Sequence, residues 1–342
     1  MAKSMMLVLG NGFTIDFLKT IGKTEDIDVI NLFRKGDFIP WVADNEPGFL
    51  SFKRCPNLWG LGARTNISNE EASRLIEDII TCAHVYMARV HSSIVTVDEM
   101  TIYIKAYNEL IAYLRYLFSY YNSLVNSSDY ESNECKKWGW YQFFDKLSKS
   151  ATFDKVYIVT YNYDIFLERL LQVLNIPFDV LGFEDTDKKF QIMKPHGSIS
   201  FRHKKTIDND SFAIKHNNIA SDGSLNDLVI DYEHTNNHTL VNPLIPPSGE
   251  SGRFSFDWAT KIKNKTIDSA KSLIDNDELI VCGISYWHVD RVELDQIFLA
   301  TSRDVNLRIV NPNTSSTLNA VASSIFKNYI NYSCSKLIHK IL

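Results

Sequence analysis

Four short apolar runs limit the folds that are open to this chain. They cover residues 5–9, 156–159, 279–282 and 307–310. Each of them precedes a segment with helix-compatible spacing, and a weaker strand-like run follows at 191–200. A short, continuously apolar run is typical of a strand buried on both faces of a parallel sheet, with helices as crossovers. We therefore expect an α/β protein with a doubly wound parallel sheet.

Two long amphipathic helices interrupt this alternation. The first is predicted to begin at the capping pair Ser68 and Glu71, because apolar residues follow at helical spacing up to residue 90. The second is predicted to begin at a similar pair, Thr96 and Glu99, and to continue to residue 121. Together they indicate an inserted helical subdomain.

The remaining segments complete the predicted organisation. Residues 127–137 are polar and are interpreted as a connection, whereas 138–147 is aromatic and predicted to be helical. The stretch 204–239 lacks a sustained period and is interpreted as irregular, with at most a short hairpin. We expect the sheet domain to comprise 1–66 and 151–342 and the helical subdomain to comprise 67–150.

Composition and charge exclude several classes of function. The 342 residues carry a formal net charge of -5 without a long basic run, so direct nucleic-acid binding is not expected. No apolar stretch approaches the roughly 20 residues that span a bilayer, so we expect a cytoplasmic protein without membrane association. The five cysteines form no C-x-x-C pair, and no metal site is expected.

Polar and glycine-containing motifs follow the predicted strands. They are Gly10-Asn11-Gly12-Phe13, Tyr161-Asn162-Tyr163-Asp164, Pro195-His196-Gly197, Gly283-Ile284-Ser285 and Asn311-Pro312. Ligands of open α/β sheets bind at the carboxyl ends of the strands, so these motifs hold the candidate site residues. Glycines after the first strand let the backbone approach a pyrophosphate at a helix N-terminus, although a plain turn explains them equally well.

The ordered set of motifs resembles the sirtuin-like family of NAD-binding proteins. The resemblance implies a Rossmann-like, sirtuin-type fold in which Asn162 and Asp164 line the nicotinamide and ribose pocket and His196 is the catalytic base. The positions that the resemblance places beside the phosphates and ribose are Gly10, Gly12 and Phe13. The positions that it implies for holding the adenosine half are Gly283, Ser285 and Asn311.

One departure from the sirtuin pattern narrows the resemblance. Sirtuin protein deacylases carry four paired cysteines after the His-Gly motif, and no such set occurs between Ser198 and Gly283. The chain instead resembles the zinc-free, bacterial sirtuin-like branch that hydrolyses NAD in anti-phage, abortive-infection defence. This resemblance implies NAD as substrate. Because unregulated NAD loss would kill the host cell, we expect a trigger such as a phage-derived partner, and the aromatic faces expected on the inserted helices offer a surface for a homo-oligomer or a partner.

The chemistry of glycosidic cleavage is compatible with the two central residues. Asn162 can hold a ribose hydroxyl or the attacking water through its carbonyl oxygen, and His196 can accept a proton near neutral pH. Each residue also has a structural alternative: Asn162 as a turn former, Asp164 as a helix cap, His196 as a turn histidine, and Ser285 as a backbone element.

Two rival functions stay open at this point. The chain could bind NAD or an ADP-ribose derivative without turnover and signal to a partner ATPase. Protein deacylation is disfavoured by the missing cysteines. For the hydrolase itself, the product could be linear or cyclic ADP-ribose, because water and an internal nucleophile compete for one cation.

Overall fold

A computed structural model describes most of the chain. The described residues are 3–91, 101–184, 187–216, 219–248, 256–286 and 291–342. They group into two compact units. The first unit comprises Met1–Glu25, Val125–Pro195 and Thr260–Leu342, and the second unit comprises Asp26–Leu124 and His196–Ala259. These units divide at other positions than the predicted boundaries near 67 and 150.

The strands and helices follow in this order along the chain. The strands are β1 Lys3–Leu9, β2 Phe153–Thr160, β3 Phe178–Val180, β4 Phe190–Met193, β5 Phe201–His203, β6 Leu228–Ile230, β7 Glu278–Cys282, β8 Asn306–Val310 and β9 Asn328–Tyr332. The helices are α1 Asn11–Thr20, α2 Pro56–Gly60, α3 Asn69–His91, α4 Ile102–Leu124, α5 Ser127–Glu131, α6 Asn133–Lys137, α7 Gly139–Lys149, α8 Phe166–Val173, α9 Asp257–Lys271, α10 Arg291–Ala300 and α11 Ser316–Ile325.

The first unit contains a parallel sheet of seven strands. Its order is β3-β4-β2-β1-β7-β8-β9, and all neighbours pair in parallel. On one side of β1 the chain adds β2, then the edge strand β3, and then β4 between these two; it returns to the other side of β1 and adds β7, β8 and β9 in order outward. The strand order therefore reverses between β1 and β7, which is the type of position where open α/β sheets bind ligands. The predicted α/β class with a Rossmann-like parallel sheet is confirmed.

The apolar runs form the central strands, and two further strands carry weaker patterns. Residues 5–9 in β1 are completely buried, as expected for a strand covered on both faces. The strand predicted over 191–200 ends at Met193, and the chain then turns. The sequence pattern does not predict β3, which has three residues, or β9, an edge strand with the sequence Asn328-Tyr329-Ile330-Asn331-Tyr332 in which no residue is buried.

Helices pack around the sheet within the first unit. The helix predicted over 138–147 is confirmed as α7. The connection predicted over 127–137 is wrong, because this stretch forms the two short helices α5 and α6. A capping box between Asn126 and Asp129 starts α5, and the Ser132 hydroxyl accepts the Cys135 N–H at the start of α6. These caps stabilise helices that are too short to show an apolar period.

The second unit is organised around α4. The predicted capping pair is confirmed at α3, where Ser68 and Glu71 exchange hydrogen bonds of 2.9 and 3.2 Å between side chain and backbone. The pair Thr96 and Glu99 lies outside the described residues, and the described part of α4 begins at Ile102. Most of α4 is buried, so the segment 26–68 and the described parts of 196–259 cover it on faces that an isolated hairpin would expose.

The stretch predicted to be irregular is largely so. Among its described residues, the regular structure is β6, which pairs antiparallel with β5 just before the stretch, and short 3-10 turns at Asn209–Ser211 and Leu225–Asp227. Within the described residues, no helix combines the length and the apolar character needed to cross a membrane.

Candidate functional site

The carboxamide of Asn162 is fixed at the carboxyl end of β2. Its Nδ2 donates to the backbone oxygen of Gly10 at 3.0 Å and to Oγ1 of Thr14 at 2.9 Å. A backbone oxygen can only accept, so the amide nitrogen must face Gly10, and this determines the orientation of the side chain. In the part of the chain that the structure describes, no group donates to Oδ1 of Asn162. The Oδ1 atom of this half-buried side chain is therefore available to accept a hydrogen bond from a ligand at the carboxyl end of β2.

Asp164 lies behind Asn162 and is tied to the same threonine. Oγ1 of Thr14 donates to Oδ2 of Asp164 at 2.7 Å, and the backbone N–H of Phe166 donates to Oδ1 at 3.1 Å. Asp164 is 4% exposed and Thr14 is completely buried. The second bond supports the start of α8, as the helix-cap alternative predicts. Because both oxygens already accept bonds inside the protein, Asp164 acts on its neighbours more directly than on a ligand.

A buried ion pair anchors this region from below. Nζ of Lys194 donates to Oε1 of Glu168 at 2.8 Å and to the backbone oxygen of Asp164 at 2.5 Å. The Lys194 and Glu168 side chains are 0% and 1% exposed. Oε2 of Glu168 is buried and has no hydrogen-bond partner among the described residues. Two carboxyl groups and one ammonium group therefore lie close together in the buried interior.

Burial and charge act in opposite directions on these carboxyls. Burial raises the pKa of Asp164, while the Lys194 ammonium and the Thr14 hydroxyl lower it in part. Burial likewise raises the pKa of Glu168, and Lys194 opposes that shift by its charge and its hydrogen bond. Lys194 is thus the group that favours the ionised form of both carboxyls.

The glycines at the point of strand reversal hold two loops together. The Gly10 N–H donates to the backbone oxygen of Cys282 at 2.9 Å, and the Gly12 N–H donates to that of Gly283 at 3.0 Å. A Cβ on Gly12 would lie 2.4 Å from the Cα of Gly283, and Gly283 adopts φ +65. These glycines allow close packing of the loops after β1 and β7. The N–H groups of Gly10 and Gly12 already donate to backbone oxygens of the protein. Fewer backbone donors therefore remain for a phosphate than the sequence predicts.

Phe13 has a structural environment. Its ring is 2% exposed and lies 5.2 and 5.5 Å from the ring centroids of Trp138 and Trp140. Its backbone N–H donates to the Gly10 oxygen at 3.0 Å. The side chain therefore belongs to the aromatic core of the first unit, and a role beside a ribose rests on the resemblance alone.

The last two predicted positions follow β7 and β8. Ser285 is exposed. Asn311 donates through Nδ2 to the Ile284 oxygen at 3.0 Å and accepts the Asn313 N–H at 3.2 Å. Asn311 thus ties the loop after β8 to the loop after β7, next to the glycine junction.

His196 belongs to the second unit, whereas the other eight predicted residues belong to the first. It is 4% exposed, and its backbone oxygen accepts the Ile245 N–H at 3.0 Å. Gly197 has φ +84, and a Cβ there would lie 1.8 Å from the Pro243 oxygen. The His-Gly turn is therefore a tightly packed backbone feature of its unit, which accounts for the glycine and leaves the role of the imidazole as a prediction.

The sequence assigned no role to Thr14, Glu168 or Lys194, although Lys194 directly precedes the Pro195-His196-Gly197 motif. A signal for the last two was present, because a lysine directly after a strand and a glutamate within the apolar face of a helix are expected to be paired when buried. The sequence also gave no sign of a cleft in the second unit, which is lined by Asn108 of α4, Phe212, His238 and Asn242 among others. None of the predicted site residues lines it.

Comparisons with protein-family models and with curated proteins find no match for this chain.

Proposed function

We propose that this chain hydrolyses NAD at the bond between nicotinamide and the ribose C1′, releasing nicotinamide and ADP-ribose. The observation that carries the proposal is the Asn162 carboxamide, whose nitrogen is held by Gly10 and Thr14 and whose oxygen has no protein donor among the described residues. The ordered motifs shared with sirtuin-like proteins supply the substrate class. The finer fold assignment, a sirtuin-type domain with an inserted helical subdomain, is part of the same proposal.

The reaction requires little covalent chemistry from the protein. The bond from C1′ to the nicotinamide nitrogen breaks, its electron pair stays on that nitrogen, and neutral nicotinamide leaves an oxocarbenium-like ribose. Water adds to C1′ and gives up a proton. A neutral carboxamide oxygen cannot take that proton, but it can accept a hydrogen bond from the water or from a ribose hydroxyl and so orient the reacting group.

A base is required for the proton that water releases. In this proposal the base is His196, as the resemblance implies, because an imidazole accepts a proton near neutral pH. Gly283, Ser285 and Asn311 are the proposed contacts for the adenosine half, and Gly10 and Gly12 lie on the proposed path of the phosphates. No metal takes part in this scheme.

The test is nicotinamide release from NAD by the purified full-length chain, measured over a series of protein concentrations because the proposal includes a homo-oligomer. We expect Asn162→Ala and His196→Ala to lower the rate by at least about a hundredfold. Asn319→Ala in α11 and the exposed His234→Ala are matched controls and should keep wild-type rates. Calorimetric binding of NAD without release at any concentration would instead favour the sensing function.

The proposed biological setting is anti-phage defence, in which NAD loss is held back until infection. The support is the resemblance to the zinc-free defence branch. Intracellular NAD should fall after phage infection in cells that carry the wild-type chain and stay constant with Asn162→Ala. Equal NAD levels in both strains through infection would remove the defence role without touching the reaction itself.

A further inference from the structure

The hydrogen bonds around Thr14 have one possible direction when Asp164 is ionised. Nδ2 of Asn162 can only donate, so Oγ1 of Thr14 accepts from it at 2.9 Å. The carboxylate of Asp164 can only accept, so the single hydroxyl proton of Thr14 points to Oδ2 at 2.7 Å. The threonine hydroxyl thus joins a donor on one side to an acceptor on the other.

The far end of this chain of bonds is immobilised by buried groups. Asp164 accepts the Phe166 N–H, and its backbone oxygen accepts from Lys194, which is itself paired with Glu168. All of these side chains are 4% exposed or less. A hydrogen bond among such groups is stronger than one at the surface, because water does not compete for it. The position of Asp164 therefore determines the position of the Thr14 hydroxyl.

From this geometry we propose that Thr14 is a positioning residue for the Asn162 carboxamide, and that the Asp164 carboxylate, anchored by the Lys194 and Glu168 pair, sets the direction in which Thr14 acts. The inference deepens the proposed function, since it assigns these residues to the reaction at Asn162. Without the Thr14 hydroxyl, the Asn162 carboxamide keeps its hydrogen bond to Gly10 but can rotate about that bond. The Oδ1 atom of Asn162 then no longer has a fixed orientation. The loss affects the reacting geometry more than the affinity for substrate.

The first arm of the test uses three substitutions at one position. Thr14→Val removes the hydroxyl at nearly constant volume, Thr14→Ala removes it without any demand for space, and Thr14→Ser keeps it. We expect Val and Ala to lower kcat for nicotinamide release about tenfold or more, with KM changed less than about threefold, and Ser to restore kcat. Thr266→Val is the matched control, because that threonine is 3% exposed and donates to the Ile262 oxygen away from the network.

The second arm does not depend on activity. In protein labelled with 15N-asparagine, the side-chain NH2 signal of Asn162 is assigned by its absence in Asn162→Asp. Both of its protons are bonded, so both should exchange slowly with solvent. In Thr14→Val or Thr14→Ala one of them should exchange at least about tenfold faster, whereas Thr14→Ser should match the wild type.

The two arms separate the inference from the function on which it rests. If the wild type releases no nicotinamide, the proposed function fails, and the exchange measurement alone decides whether Thr14 orients Asn162. Wild-type exchange in both Thr14→Val and Thr14→Ala would overturn the inference. So would a wild-type kcat in these variants of an active enzyme, or an equal loss of kcat in Thr266→Val.

Discussion

The two loop clusters beside β1 are built in different ways. On the β2 side, charged and polar side chains hold one another, with Thr14, Asp164 and Lys194 buried behind Asn162. On the β7 side, the backbones of Gly12 and Gly283 touch, and the bonds run from amide to carbonyl. Glycine at a strand end is therefore explained here by packing, whereas the polar side chains at the neighbouring strand end lack so simple an explanation. The candidate chemistry concentrates on the β2 side.

The largest effect that separates the two sides is expected from Lys194→Met. Removing the ammonium leaves Asp164 and Glu168 buried without their cation, and breaking a buried ion pair in this way costs about 3–5 kcal/mol. The free energy of unfolding by urea at pH 7 measures the loss. Lys149→Met is the matched control, because its pair with Asp145 lies on an exposed helix face and should contribute less than about 0.5 kcal/mol.

The same variant has a defined pH dependence. Burial raises the folded-state pKa of both carboxyls above their unfolded values, so their contribution to stability is present at low pH and is lost as the pH rises through the folded pKa. Lys194 limits the rise of both carboxyl pKa values, so its removal should make the unfolding free energy fall more steeply as the pH rises. The difference between Lys194→Met and the wild type should shrink below about pH 4, where carboxyls are protonated in both states. A pH-independent difference would mean that packing, not charge, is what Lys194 supplies.

The comparison also explains what sequence could and could not predict. The β1, β2, β7 and β8 runs were recognisable because a strand covered on both faces must be apolar along its length. The edge strand β9 is not recognisable from sequence, because an exposed strand does not have to be apolar. The helices α5 and α6 are not recognisable either, because five residues form little more than one helical turn.

The candidate site divides along the same line. The strand-end motif containing Asn162 could be found, since the position of a ligand site follows from the sheet topology. The pairing of Glu168 with Lys194 spans 26 positions and depends on β2 and β4 being neighbours, which the sequence does not specify. Thr14 could not be identified from sequence for a related reason. Its hydrogen-bond partners, Asn162 and Asp164, follow β2, whereas Thr14 lies on α1.

A smaller effect is expected at the backbone junction on the β7 side, where Gly283→Ala tests the close approach of the two loops. The added methyl would lie 2.4 Å from the Gly12 Cα, and the alanine would also have to adopt φ +65. We therefore expect the free energy of unfolding to fall by about 2–4 kcal/mol. Gly22→Ala separates the two causes, because Gly22 has φ +71 with open space around it and should lose only about 1 kcal/mol. Equal losses in the two variants would show that conformation alone, without close packing of the loops, requires glycine at 283.

The smallest effect concerns Asn311, where a side chain supports the backbone junction. Asn311→Ala removes the bond to the Ile284 oxygen and the acceptor for the Asn313 N–H, and for a half-buried amide this should cost about 1 kcal/mol. Asn313→Ala, at an exposed position of the same loop, should stay within about 0.5 kcal/mol of the wild type. If Asn311→Ala lowers NAD affinity while its unfolding free energy stays at the wild-type value, the side chain acts on the ligand and not on the loop. The β7 side would then join the β2 side as part of the site, and the contrast between them would no longer separate packing from chemistry.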